Sequence, residues 1–314
     1  MNSNKKIKIY IAGHTGMVGS ACMRLLEKLG YSNLIVKSST ELDLKKQSQV
    51  YSFIKETNPD VIINAAARVG GILANKNFPY EFLLDNMQIQ NNLISSAHDL
   101  NTSKFIFLGS SCIYPRLSLQ PIKENYLLTN SLEPTNEYYA IAKISGLKLC
   151  EAIRKQFNKD FVSLMPCNLY GPEDNFNLET SHVIPAMIQK FHYAKQNNKS
   201  SLNLWGTGKP FREFLHVDDL ANAIALAVEN ELPESIYNVG SSVETSIKGL
   251  AEIIQSVIGY EGVVNWDHTK PDGTPRKLLD SSKIIQLGWR PKCDLKKGIK
   301  NTYSWFLENQ TNLI

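Results

Sequence analysis

Cysteine is scarce in this sequence, and its positions follow no regular spacing. The five cysteines are widely separated, odd in number and free of any C-x-x-C pair: Cys22, Cys112, Cys150, Cys167 and Cys293. This distribution argues against a disulfide framework and against a structural zinc site. We therefore expect a protein of the reducing cytoplasm that holds no metal ion.

Long apolar runs and blocks of one charge are missing as well. No apolar run approaches the 18 residues of a membrane span, and the short run after the basic N-terminus enters a glycine loop, which predicts a strand and not a signal peptide. The 34 basic and 30 acidic residues give a net charge of +4 without a Lys/Arg block. This balance argues against nucleic acid as a partner and suits small anionic ligands such as nucleotides.

Strand-like and helix-like runs alternate through the first half of the chain. The expected strands are Ile7–Ile11, Asn33–Val36, Val61–Asn64, Phe105–Leu108 and Phe161–Met165, and the expected helices are Met17–Lys28, Gln47–Glu56, Gln88–Asp99 and Tyr139–Arg154. Such alternation predicts an α/β fold with a doubly wound parallel sheet of the Rossmann type. Ligands of this architecture bind beyond the carboxyl ends of the strands.

The composition changes after Asn168, where Asn, Pro and Gly become frequent. We expect a smaller, mixed α/β lobe for the substrate in this C-terminal part. The predicted nucleotide-binding domain covers residues 1–170, with about 214–240 threaded back into it. The predicted substrate lobe covers residues 171–213 and 241–314.

A glycine motif follows the first expected strand and opens the first expected helix. It reads Gly13-His14-Thr15-Gly16-Met17-Val18-Gly19. Glycines allow a tight turn and a close approach of a pyrophosphate, whose charge meets unpaired N–H groups at the helix N-terminus. We therefore predict a dinucleotide at Gly13, Thr15, Gly16, Met17, Val18 and Gly19, with a purely structural turn as the alternative.

The end of the second expected strand indicates which dinucleotide. An acidic residue at this place would bind the ribose of NAD, but the chain reads Lys37-Ser38-Ser39. A cation and two hydroxyls suit a 2′-phosphate, so we predict NADP(H). A solvated loop is the alternative, since Glu41 is close by.

Tyr139 and Lys143 lie one helical turn apart on one face of an expected helix. A phenol has a pKa of about 10, and we expect the lysine cation to lower it toward the working range of an acid–base catalyst. Tyr138 lacks a lysine at the same spacing. Ser110 follows the strand Phe105–Leu108, where a hydroxyl either binds a substrate oxygen beside the tyrosine or caps the strand.

The glycine spacing and the tyrosine–lysine pair resemble the extended short-chain dehydrogenase/reductase family. Longer motifs resemble the GDP-L-fucose synthases, which are GDP-4-keto-6-deoxymannose 3,5-epimerase/4-reductases. These motifs span nearly the whole chain: Gly109–Pro115, Glu133–Glu137, Asn168–Pro172, Ser181–Pro185, Arg212–Asp219 and Lys270–Lys277.

The resemblance implies an NADPH-dependent reduction at C4 of a GDP-sugar, with Ser110, Tyr139 and Lys143 as the catalytic triad. It also implies Cys112 and His182 as the base and acid of a 3,5-epimerisation. Cofactor contacts are implied at Asp43, Leu44, Ala65 and Ala66, besides Tyr139 and Lys143. Substrate contacts are implied at Asn168, Lys190, Trp205, Arg212 and Lys277. A homodimer through the Tyr139–Arg154 helix is the family's expected assembly.

The sequence departs from the family pattern at several places. Bacterial members usually carry arginines where this chain has Thr15 and Ser39, and two arginines where it has Gln189-Lys190. Some relatives act on other GDP-4-keto sugars, including heptoses, or reduce C4 without epimerisation. A 4-epimerase or dehydratase and a non-catalytic NADP-sensing protein are further alternatives. Cys112 in place of the dehydratase glutamate argues against dehydration, and the intact Tyr139/Lys143 pair argues against a sensor.

Overall fold

The computed structural model describes residues 4–178, 180–270 and 272–310, so Pro271 of the Lys270–Lys277 motif lies outside the described residues. The strands are β1 Ile9–Ala12, β2 Leu34–Ile35, β3 Val61–Asn64, β4 Lys104–Leu108, β5 Asp160–Pro166, β6 Asn168–Tyr170, β7 Ser201–Trp205, β8 Phe211–His216, β9 Ile236–Val239, β10 Glu244–Ser246, β11 Val263–Asp267 and β12 Arg276–Lys277. The helices are α1 Met17–Lys28, α2 Gln47–Thr57, α3 Ile72–Asn77, α4 Pro79–Asp99, α5 Glu137–Phe157, α6 Val183–Gln196, α7 Val217–Glu229, α8 Ile247–Ile258, α9 Ser282–Gln286 and α10 Leu295–Asn309.

A six-stranded parallel sheet has the order β2-β1-β3-β4-β5-β9. Its central strands β1, β3 and β4 are buried along their whole length, because helices cover both faces of such a sheet. The strand order reverses between β1 and β3, and this reversal opens a crevice at their carboxyl ends. The predicted Rossmann-type sheet is confirmed.

Most of the expected elements are confirmed within a few residues, and α1 has the predicted bounds. The exception is α4, which begins at Pro79 and not at Gln88. Proline is favoured in the first helical turn because its fixed φ suits that position and its missing N–H is not needed there. The short helix α3 was not predicted from the sequence.

A second, mixed sheet is built around β8. Strands β6 and β12 pair with β8 in parallel, β10 pairs with it antiparallel, and β7 and β11 form a separate parallel pair. These elements enclose their own apolar core, which includes Phe176, Phe191, Ile254 and Phe306. Between β8 and β10 the chain returns to the large sheet, where α7 packs on α1 and β9 pairs with β5. The predicted mixed α/β lobe is confirmed as part of the fold.

None of the helices in the described residues is long and apolar enough to cross a membrane. The two sheets meet where Ile122, after β4, bridges to Leu279, after β12. The segment that follows the carboxyl end of β4 therefore contacts the second sheet.

Candidate active site

The glycine loop is packed so closely that side chains are excluded at two positions. Gly13 has φ +84, and a Cβ there would lie 2.7 Å from the backbone nitrogen of Ala66 at the end of β3. Gly19 in α1 lies against the loop itself, since a Cβ would come within 2.1 Å of the Gly13 carbonyl oxygen. Gly16 caps α1 without a side-chain hydrogen bond, so the helix N-terminus faces the crevice with free backbone donors.

The crevice also contains buried polar atoms that suit a nucleotide. Asn64, the last residue of β3, is 1% exposed, and neither its amide nitrogen nor its amide oxygen has a partner among the described residues. Ala65 and Ala66 follow it and are half-buried. The close-packed glycine loop, the helix N-terminus and this amide together fit a dinucleotide.

Lys37 and Ser38 lie beyond β2 and share one carboxylate. Glu41 accepts hydrogen bonds from the Lys37 ammonium at 3.0 Å, the Ser38 N–H at 2.9 Å and the Ser38 hydroxyl at 2.7 Å. The hydrogen bonds from Ser38, and then that from Lys37, lower the pKa of Glu41 to about 2. Exposed ion pairs of this kind are weak, so a 2′-phosphate can compete with Glu41 for Lys37.

Two predicted adenine-contacting residues lie on the loop before α2. The Asp43 carboxylate accepts the Lys45 N–H at 3.1 Å, and the Leu44 carbonyl accepts the Asn92 amide of α4 at 2.9 Å. Both side chains are half-buried. The loop is thus tied to α4.

The proposed catalytic triad comes together between the end of β4 and the first turns of α5. Ser110 caps a 3-10 turn, and its hydroxyl accepts the Cys112 N–H at 3.2 Å. The Ser110 side chain is also hydrogen-bonded to the Tyr139 hydroxyl. The Lys143 ammonium donates to the Leu108 carbonyl at 2.9 Å and lies 5.9 Å from the centre of the Tyr139 ring.

The expected effect of Lys143 on Tyr139 is wrong in this structure. Burial raises the pKa of Tyr139 well above its usual value, charge on Cys112 raises it further, and the hydrogen bond with Ser110 offsets part of the rise. Burial also lowers the pKa of Lys143 to about 8. The lysine binds a carbonyl and not the phenol, so burial dominates and Tyr139 stays protonated at neutral pH.

The Cys112 sulfur, in the turn after β4, is in contact with a side chain of the second sheet. The Asn136 amide, in the 3-10 turn Pro134–Asn136, lies 3.1 Å from the Cys112 sulfur. The Lys277 ammonium of β12 lies 3.9 Å from the same sulfur. The sequence had indicated Lys277 only as a substrate contact, because the pairing of β12 with β8 is not visible in sequence spacing.

His182 is the N-cap residue of α6 and makes no side-chain capping hydrogen bond there. Its side chain is accessible to solvent, yet the surrounding protein disfavours the charged ring and lowers the pKa of His182 below its usual value. The preceding loop is held by the Gly71 N–H, which donates to the Thr180 carbonyl at 2.9 Å, and α3 after Gly71 packs on the Pro134–Asn136 turn.

The predicted substrate residues lie on the second sheet, on β7 and on α6. The Lys190 ammonium stands 5.2 Å from the centre of the Trp205 ring, which is 48% exposed. Arg212 is adjacent to Lys277 across the β8–β12 pair, and burial lowers its pKa while charges on Cys112, Asp272 and Glu133 raise it. The Asn168 amide nitrogen donates to the Glu213 carbonyl at 2.8 Å, so part of this side chain has a structural role.

Glu133 and Asn136 belong to a motif named in the sequence analysis, but the sequence predicted no role at the site for either residue. The buried Glu133 carboxylate accepts from the Thr135 hydroxyl and the Thr274 hydroxyl, both at 3.2 Å, and pairs with Arg116 at 3.2 Å. It thereby ties the Asn136 turn to the loop before β12. The signal available in the sequence was an acidic residue and an amide directly before the helix that carries Tyr139.

The family model described as the NAD dependent epimerase/dehydratase family matches residues 9–240. The chain belongs to this family. GDP-L-fucose synthase 1 of Arabidopsis thaliana is 53% identical over 310 residues, which are 99% of this chain and 96% of the plant protein. GDP-L-fucose synthase of Escherichia coli (strain K12) is 49% identical over 97% of this chain and 98% of its own length.

A solved structure of this family is similar over almost the whole chain. The GDP-mannoheptose C4 reductase from Campylobacter jejuni with NADP bound is 35% identical, has a TM-score of 0.88, and is matched over 97% of this chain and 99% of its own. The resemblance to GDP-L-fucose synthases that the motifs indicated is confirmed. The likeness to a heptose reductase agrees with the alternative substrates considered above.

Proposed function

We propose that this chain uses NADPH to reduce C4 of a GDP-4-keto-6-deoxy sugar after inverting C3 and C5, as a GDP-L-fucose synthase. One observation carries the proposal. The Cys112 thiol, in the 3-10 turn after β4, lies beside Tyr139 and within 3.9 Å of Lys277 from the second sheet. A proton-abstracting group, a proton donor and cations for a diphosphate therefore share one cleft.

NADPH, when bound, supplies the hydride for C4. Its pyrophosphate would be held by the glycine loop, at Gly13, Thr15, Gly16, Met17, Val18 and Gly19. Its 2′-phosphate would be held by Lys37, Ser38 and Ser39, and its adenine would contact Asp43 and Leu44. The crevice beside it is lined by Ala65 and Ala66. The close-packed loop and the free α1 N-terminus support this assignment. Relatives solved with NADP bound support it as well.

Tyr139 is the proton donor of the reduction. Its raised pKa keeps the phenol protonated, and a protonated phenol is the form that can neutralise the oxyanion at C4. The Ser110 hydroxyl donates a hydrogen bond to the same substrate oxygen at C4. Lys143, fixed by the Leu108 carbonyl, places a positive charge beside the Tyr139 ring, where it stabilises negative charge at the reacting oxygen.

Cys112 and His182 perform the epimerisation. The C4 ketone acidifies the protons on C3 and C5, and the two carbons react in turn. At each carbon the Cys112 thiolate removes the proton to leave an enolate, and protonated His182 donates a proton to the opposite face. Before the second inversion Cys112 releases its proton to solvent and His182 takes one up. The Asn136 amide and the Lys277 ammonium orient the sulfur. The lowered pKa of His182 means that the protonated ring is a stronger acid but a smaller fraction of the population at neutral pH.

The GDP part of the substrate binds at the second sheet and α6. Arg212, Lys277 and Lys190 face the diphosphate, Trp205 offers an exposed ring to the base, and Asn168 contacts the sugar-phosphate region. Arginine and lysine donors suit phosphate oxygens, and two lysines already lie over the Trp205 ring. Residues 171–213 and 241–314 thereby form the substrate lobe, and residues 1–170 with about 214–240 form the cofactor domain.

We further propose a cytoplasmic homodimer formed through α4 and α5. The two helices pack on each other, and Tyr80, Tyr138 and Ile141 expose apolar surface on them. Light scattering coupled to gel filtration measures the assembly. A monomer at micromolar concentration would contradict it.

The test of the activity is proton exchange during reduction. The protein is incubated with GDP-4-keto-6-deoxymannose and NADPH in D₂O, NADPH consumption is followed by absorbance, and the product is examined by NMR. Deuterium at C3 and C5 is expected in the wild type and is lost in Cys112→Ser, while Cys293→Ser, at another half-buried cysteine, retains it. NADPH consumption without deuterium would establish a C4 reductase alone, which the heptose reductases among the similar structures favour.

A further inference from the structure

Glu213 is a buried carboxylate that the proposed chemistry does not use. It lies in the middle of β8, is 0% exposed, and is enclosed by the strands and loops of the second sheet. One carboxylate oxygen accepts the Ser242 N–H at 2.6 Å, and the other accepts the Leu279 N–H at 3.0 Å. Its backbone carbonyl accepts the Asn168 amide at 2.8 Å.

These contacts join three chain segments that carry the proposed substrate contacts. Asn168 begins β6, Arg212 directly precedes Glu213 on β8, and Leu279 follows β12, which ends at Lys277. Gly240 packs directly on the carboxylate, since a Cβ added to Gly240 would lie 2.3 Å from its nearer oxygen. One residue thus connects Asn168, Arg212 and Lys277.

The ionised form of Glu213 fits this environment better than the protonated form. Both carboxylate oxygens face backbone N–H donors, and a proton on either oxygen would weaken one of the two hydrogen bonds. Burial raises the pKa of Glu213 to about 7, while the Leu279 and Ser242 hydrogen bonds act in the opposite direction. The other charged or titratable side chains on the neighbouring elements are Cys167, Tyr170, Arg212, Glu244, Arg276 and Lys277.

We propose that Glu213 is a positioning residue. Its carboxylate fixes the Leu279 N–H and so holds Lys277 of β12 beside Arg212 of β8, its backbone carbonyl fixes the Asn168 amide, and the three residues together receive the GDP part of the substrate. The inference rests on the proposed function, because it assumes that these three residues contact the substrate. It predicts that Glu213 governs the affinity for the nucleotide sugar and leaves NADPH binding at the other sheet unchanged.

The experiment compares Glu213→Gln with Glu244→Gln. The glutamine keeps the size of the side chain but offers its NH₂ to a backbone N–H. Glu244 is the register partner of Glu213 on β10, and its carboxylate pairs with the exposed Arg276. This control removes one charge and leaves the Ser242 and Leu279 donors of Glu213 in place. Because the charge on Glu244 raises the pKa of Glu213, the control is compared with the wild type at about pH 8, where Glu213 is ionised in both proteins. GDP-mannose, whose diphosphate does not titrate near neutral pH, and NADPH are titrated separately by calorimetry.

Glu213→Gln is expected to weaken GDP-mannose binding and raise KM for the keto sugar by about tenfold or more, as for a lost hydrogen bond to a charged group, with a smaller change in kcat. Wild-type affinity for GDP-mannose falls as the pH drops through about 7, and the variant lacks this pH dependence. NADPH affinity and the control stay unchanged.

Equal GDP-mannose affinity in wild type and Glu213→Gln would overturn the inference. If the variant does not fold, the pH dependence of the wild type tests the inference. A wild-type affinity for GDP-mannose that is constant between about pH 6 and 8 would also overturn it. A wild type that binds NADPH but no GDP-mannose would instead contradict the proposed function, and the two failures are therefore distinguishable.

Discussion

Replacing Gly19 by alanine tests the link between the glycine motif and the cofactor. The new Cβ would lie 2.1 Å from the Gly13 carbonyl oxygen and 2.6 Å from both the Gly13 carbonyl carbon and the His14 Cα. All three are backbone atoms, so no side chain can turn aside. Overpacking of this kind costs about 1–3 kcal/mol or more, whereas alanine regains only about 0.5–1 kcal/mol in a helix. We expect a net loss of about 1–2 kcal/mol of stability.

The same displacement moves the loop that receives the pyrophosphate. Loss of one hydrogen bond to a charged group corresponds to about 1.5–3 kcal/mol, so NADPH should bind about ten- to a hundredfold more weakly. Urea unfolding measures the stability, and calorimetry measures the affinity. Gly16→Ala is the matched control for stability, because its Cβ would meet nothing nearer than the Gly13 oxygen at 3.6 Å. Gly19→Ala with wild-type stability and NADPH affinity would refute the packing of the loop and its assignment as the cofactor site.

Three further predictions concern the catalytic groups and the choice of cofactor. Tyr139→Phe should lower turnover by about 10²–10⁴-fold in stopped-flow reduction assays with little change in NADPH affinity; near-normal turnover would exclude Tyr139 as the proton donor. Lys37→Met should reduce the preference for NADPH over NADH by about tenfold in titrations, unless Lys37 serves only Glu41. The reduction rate should fall as the pH rises through about 8, where Lys143 loses its proton, and a flat profile across that range would contradict this role.

Much of the fold could be predicted because the responsible interactions are local. The bounds of α1 follow from a glycine loop and an apolar periodicity within a few residues, and the buried runs of β1, β3 and β4 predict a sheet covered on both faces. Tyr139 and Lys143 share a helix face by spacing alone. The start of α4 was missed because a proline within an expected loop is equally compatible with a first helical turn.

The sequence by itself determined which chemical groups are present and which of them lie together along one element. It could not determine what depends on contacts between distant segments. Burial, and not the lysine at i+4, decides the pKa of Tyr139, and the approach of Lys277 to Cys112 arises only when β12 pairs with β8. The role inferred for Glu213 has the same origin, because its two donors, Ser242 and Leu279, come from loops that only the second sheet brings together.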